Sequence, residues 1–309
     1  MNRVSAVLVL CVLVCGCAGP PTLDDDNASV VTPLEIGSEG HIIVQVTLND
    51  RGPFRFALDT GASISVIFDT AREQAGIGLT EGGRVVIQGM ISSGTFPTTT
   101  IDVLRLGSES WTDIRVASLP TGTLVSKEID GILGIDFLSR YAVGVSVRDK
   151  VVRLYPPSLV SQRSYRGWTS IPMRKIEIGE ADATAYTINL QINEIEFPAL
   201  LDLGAGSNLM NWRTARAIGV RPSRIAEDTE ISGAVDTAAV VTKLEVHQLR
   251  IADNYWRNKT FLISEFPIFE VLDLEDQLVA IIGPALFNER DFVLDFERKR
   301  MLLGASRKD

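Results

Sequence analysis

Residues 56–67 read FALDTGASISVI, and residues 197–210 read FPALLDLGAGSNLM. Each stretch is an apolar run broken by one aspartate, Asp59 or Asp202, with a glycine two positions later. A carboxylate at the end of a buried strand is costly unless something uses it. Either aspartate alone would read as the cap of a turn after a strand. The two belong to a longer internal repeat, and a repeat constrains the fold more than any single motif.

The alignment that superposes Asp59 on Asp202 places VQVTLN (44–49) near INLQIN (188–193), with one extra residue before Phe54. Both alternate with the period of two that marks a half-buried strand. Helix-like segments follow each aspartate, FDTAREQAGIGL (68–79) and NWRTARAIGV (211–220), with Asp69 the expected N-cap of the first. Each half then has a polar hairpin, around Gly89 and around Gly233. Late in each half an apolar pair precedes a glycine, Ile132-Leu133-Gly134 and Ile281-Ile282-Gly283, and from these glycines the halves align without a gap. Short strands separated by Gly, Asn and Asp turns favour sheets closed on themselves over alternating strand–helix units. The expected class is therefore mostly β. Two β-barrel lobes, each with a short helix, would be related by a pseudo-twofold axis on which Asp59 and Asp202 meet.

The boundaries expected from this pattern are 1–16 for a leader, 17–31 for a tether, 32–156 for the first lobe, 157–167 for a linker and 168–309 for the second lobe. The leader has a short positive start, an apolar run over Val4–Val14 and small residues at its end, as an export signal does. Its ending resembles a bacterial lipobox, which implies that Cys17 carries a lipid; an ordinary cleaved signal is the alternative. Cys11, Cys15 and Cys17 are the chain's three cysteines, so a lipidated Cys17 leaves a mature protein without a disulfide. The location expected is the cell envelope, anchored and facing the periplasm. Ala18 after Cys17 leans towards the outer membrane.

Charge and composition exclude several functions. The formal net charge is −9 with a pI of about 4.9 and no run of Lys or Arg, which argues against nucleic acid as a partner. With only His41 and His247, histidine-based metal or triad chemistry has little to draw on, and both read as packed or surface residues. Asp24–Asp26 reads as a solvated tether. Gly204-Ala205-Gly206 lacks the third glycine of a dinucleotide-binding turn.

ALDTGAS (57–63), followed by DGILG (130–134), resembles the retropepsin-like aspartic proteases. The second half suggests two such lobes fused in one chain. The resemblance implies an endopeptidase in which a water is activated between Asp59 and Asp202, with neither metal nor cofactor. It implies that Thr60 reaches across to lock the two loops, that Gly61 and Gly204 allow close approach, and that Ser63 bonds its aspartate. Ser207 would stand in for Ser63 in the second lobe, and the Gly89 and Gly233 hairpins would be flaps. The partners implied are a protein or peptide substrate and, through the lipid, a membrane; the expected state is a monomer. Leu203 and Gly206 stand where the first lobe has Thr60 and Ser63. Two alternatives therefore stay open: a peptide-binding module that does not cut, or a first lobe active only when paired with that of another chain. Ala62 and Ala205 lack a hydroxyl to bond the carboxylates, which implies a bell-shaped pH profile centred at about pH 5–7.

Cys17→Ser is expected to release the exported protein from membranes without detergent. Fractionation of cells carrying the variant checks this; unchanged membrane association of an exported form would remove the lipid anchor.

Overall fold

In a computed structural model of the chain, the described residues are 23, 26–88, 93–122, 127–160, 165, 167–178, 183–221, 228–232 and 238–306. The expected leader, Cys17, most of the expected tether, parts of the linker, Gly89 and Gly233 lie outside them.

The architecture is mostly β with a few short helices. In the first half, Ile42–Leu48 and Arg51–Leu58 pair antiparallel across a turn at Asn49-Asp50, both at positive φ. Asn and Asp tolerate this conformation better than most residues. Ala183–Ile192 and Ile195–Leu201 repeat the arrangement across Asn193-Glu194, again at positive φ. The register of the first hairpin shifts between Val46 and Leu48. That irregularity absorbs the extra residue before Phe54, as a bulge does.

The apolar pair before each late glycine has a specific task. Gly131–Leu133 lies parallel to Arg51–Leu58 and antiparallel to Val66–Phe68, so it fills the gap between the strands on either side of Asp59. Ala280–Ile282 does the same between Ile195–Leu201 and Asn208–Met210, around Asp202. Such strands, flanked on both sides, must be apolar throughout, which is why ILG and IIG carry no polar residue. Each anchors the aspartate at the end of the parallel strand beside it: Leu133 O accepts from Asp59 N and Ile282 O from Asp202 N, both at 3.0 Å.

The halves join through a run of six strands in the order Thr169–Pro172, Arg300–Leu303, Phe292–Asp295, Ala142–Ser146, Val151–Tyr155 and Val30–Ile36. At its middle, Phe292 faces Val145 and Asp295 faces Ala142. Leu23, Val160 and Tyr165 pack with Tyr155, Ala142, Val293 and Leu302 as one apolar cluster on this sheet. The residues before 32 are thus partly built into the body. Leu23 is buried and Val30 already begins a strand, because Leu23 is the one large apolar side chain of residues 18–29 and finds an apolar seat beside Gly144.

One capping expectation is corrected. Asp69 is the first residue of the helix Asp69–Gln74, with Phe68 at the N-cap. The Asp69 carboxylate instead accepts from Ser118 Oγ at 2.6 Å and Arg72 Nε at 3.3 Å, partners that outcompete the backbone. The corresponding helix Trp212–Ala217 has a true cap, Asn211 Oδ1 accepting from Thr214 N at 2.8 Å.

Asp295 closes the central sheet with a fully buried carboxylate, which accepts from Arg298 N at 3.1 Å and Arg300 Nε at 3.0 Å. Asp295→Ala leaves the Arg300 guanidinium unpaired in the interior and is expected to lower stability by about 3–5 kcal/mol. Urea denaturation measures this loss.

Candidate active site

Asp59 and Asp202 leave their strands at the same place and converge, each carboxyl seated against the glycine of the other's loop and close enough for the two to interact directly. Each is held from below by its own loop. Asp59 Oδ1 accepts from Gly61 N at 2.8 Å and Ala62 N at 3.0 Å. Asp202 Oδ1 accepts from Gly204 N at 2.9 Å, and the Ala205 amide donates to the main-chain carbonyl of Asp202 at 3.2 Å. The two glycines sit crosswise. A Cβ on Gly61 would strike the Asp202 carboxylate, and one on Gly204 would strike that of Asp59. Only glycine lets the loops approach this closely.

Thr60 fastens the halves. Its buried Oγ1 donates to Leu201 O at 2.6 Å and accepts from Leu203 N at 3.0 Å. Leu203 sends no hydroxyl back; its side chain is wholly buried in the main apolar core. Beneath the loops, Gly134 N donates to Ser65 Oγ at 3.0 Å and Gly283 N to Asn208 Oδ1 at 3.1 Å. Ser65 and Asn208 occupy matching positions of the repeat, so two different side chains perform one bracing task.

Ser63 is exposed and is not among the donors to Asp59; Gly61 and Ala62 fill that role with backbone N–H groups. Ser207 is likewise exposed and does not bond Asp202. A Cβ on Gly206 would meet the exposed side chain of Glu39 from the other half. His41, read from the sequence as a packed or surface residue, is buried at 5% exposure, with Nε2 2.9 Å from Gly204 O. No local pattern marks His41 and Glu39, because their partners lie more than 160 residues away.

Both aspartates remain partly open on one side of this frame. Burial raises the Asp59 carboxyl above its ordinary range, against the lowering pull of the Gly61 amide and the bond from Asp202. Asp202 is raised well above its ordinary range, first by burial and then by the adjacent Asp59 charge. With both carboxyls raised by burial and each beside the other, the pair is set up to hold one proton between them. Such a pair takes a proton from one species and gives one to another. Among the described residues, no group of three or more His, Cys, Asp or Glu is placed to hold a metal ion. None of their helices is long and apolar enough to cross a membrane.

Residues 44–137 match the family model described as aspartyl protease. The match covers Asp59, Thr60, Gly61 and Gly134 and stops before Asp202. No curated protein matches the chain. An aspartyl protease domain in the first half agrees with the Asp59 loop just described, and it supports protease activity.

The raised Asp202 carboxyl has a consequence for stability. A carboxyl that holds its proton more tightly when folded makes the fold less stable as pH rises from the unfolded value through the folded one. That loss persists at higher pH. Asp202→Asn removes it, so the variant is expected to melt above wild type at about pH 7, with the gap closing towards about pH 3. Thermal denaturation across this range checks the sign; a variant less stable than wild type at neutral pH would contradict the raised carboxyl.

Proposed function

We propose that the protein is an aspartic endopeptidase of two tandem retropepsin-like lobes, in which Asp59 and Asp202 activate one water between them. The observation that carries this reading is the convergence of the two carboxyls, each held by amide N–H of its own loop and seated over the other's glycine. Ionised Asp59 takes a proton from the water as it attacks the peptide carbonyl. Asp202 gives its proton to the carbonyl oxygen. Collapse of the tetrahedral intermediate breaks the C–N bond as Asp59 gives the proton it took to the leaving nitrogen and Asp202 takes one back from a hydroxyl of the intermediate, so the pair regains its starting state.

An extended segment of another protein is the natural substrate, because a cleft between β hairpins accepts a strand and rejects a folded surface. The hairpin of Arg84–Gln88 with Ser93–Leu106, and that of Asp228–Ser232 with Ala238–Ile251, are the flaps of this reading. The lipid on Cys17 would hold the enzyme in the envelope, facing the periplasm, with neighbouring envelope proteins as its substrates. The pairing of Asp59 with Asp202 in one chain favours a working monomer over a first lobe that needs a second copy. Leu203 and Gly206, the departures from the first-half pattern, are accommodated by core packing and by Glu39.

The test is incubation of the full chain, in mild detergent, with an unfolded protein mixture, followed by mapping of new peptide termini from about pH 3 to 8. Internal cleavage is expected, with a bell-shaped profile whose limbs belong to the pair as a whole. Asp59→Asn and Asp202→Asn are each expected to cut about 10²–10⁴-fold more slowly while remaining folded. Wild-type rates in Asp202→Asn beside a dead Asp59→Asn would transfer the chemistry to pairs of first lobes. No cleavage by wild type at any pH would leave the peptide-binding module.

A further inference from the structure

The two central loops are not held alike. Thr60 of the first half grips the second loop at Leu201 O and Leu203 N. No side chain of the second half returns the favour: among the described residues, the Asp202 carboxyl is its only hydrogen-bonding contribution to residues 59–62. The second loop has a further contact instead. His41, at the foot of the strand Ile42–Leu48, places Nε2 2.9 Å from Gly204 O. A carbonyl oxygen only accepts, so this ring nitrogen carries a proton and donates.

The platform beneath His41 is tightly made. Gly37 N donates to His41 O at 2.9 Å and Gly40 N to Gly37 O at 3.0 Å, closing residues 37–41 into a compact turn. Ser38 N donates to Glu128 Oε2 at 3.2 Å, tying the turn to its own half. Gly40, at a φ of +89°, lies against Ala285 of the other half. The charged groups around the ring are Glu128 on its own half, Glu39 over Gly206, and the pair Asp59 and Asp202.

We infer that His41 is a positioning residue: its Nε2–H holds the Gly204 carbonyl and so sets the orientation of the Asp202 loop from the opposite half. Together with Thr60 it fixes the second loop at three backbone points, Leu201 O, Leu203 N and Gly204 O, from a side chain that the first-half motif does not contain. The inference rests on the endopeptidase reading for its role in turnover, although the hydrogen bond itself is independent of it.

The test compares His41→Ala with His41→Gln in the full chain, since glutamine extends an N–H about as far as the imidazole Nε2. In peptide cleavage, His41→Ala is expected to lower kcat about 10–100-fold with KM within about twofold, as misplacement of a catalytic group does. His41→Gln is expected to recover most of the rate. A change confined to KM would mean that His41 touches substrate, and equal loss in both variants would mean that the donor is not what matters; either overturns the inference. If wild type cleaves nothing, the endopeptidase reading is what has failed, and the carboxyl ¹³C NMR titration of Asp59 and Asp202 decides the remainder. There, His41→Ala must displace the Asp202 titration while His41→Gln keeps it near wild type. Unchanged titration in His41→Ala, or equal displacement in both, overturns the positioning role.

Discussion

Two carboxyl groups forced into contact repel when both are charged and lose hydration when buried. A single proton shared between them relieves the first problem, and backbone N–H groups relieve the second. Both remedies demand accurate placement. Asp59 and Asp202 therefore sit at strand ends whose own amides are tied down, to Leu133 O and Ile282 O. The loops beyond them curl so that their N–H groups point at the carboxylates, and glycine is required where one loop passes under the other's acid. The apolar strands inserted beside Asp59 and Asp202 exist to make that placement stiff.

A symmetric frame carrying unlike side chains does something that a symmetric one cannot. Ser65 and Asn208 brace equivalent glycines, whereas Thr60 faces Leu203 and Phe68 stands opposite the capping Asn211. Such differences give the two carboxyls different surroundings. Burial raises both carboxyls, and the adjacent Asp59 charge raises Asp202 further, within flanking residues that an exactly twofold site would make identical.

The repeat was the most legible part of the chain because it is local in register. The offset that aligns Asp59 with Asp202 also aligns Ser65 with Asn208; the turn at Asn49 matches that at Asn193 one residue out of this offset, and the extra residue before Phe54 that makes the difference surfaces as a shifted register. The crossing grip of Thr60 was legible through the resemblance, since the hydroxyl belongs to the motif itself. Contacts made by chance neighbours in space were not. Asp69 reads as a cap until Ser118 and Arg72 are placed beside it. Ser63 reads as a ligand of Asp59 until the loop amides take the position. His41 and Glu39 belong to no periodic pattern, and their importance comes wholly from a turn that reaches the far half. Leu23 reads as part of a tether because one apolar residue among polar ones gives no period.

The central sheet also orders events during biogenesis. Phe292–Asp295 and Arg300–Leu303 supply the strands that join the halves, yet they follow every residue of the carboxyl pair and its supports in the chain. A nascent polypeptide that has just emitted Asp202 already owns both acids and Thr60 but lacks the seam that fixes one half against the other. That seam is complete only with the strand that ends at Leu303, so the carboxyl pair is fixed in place by strands made after both of its members.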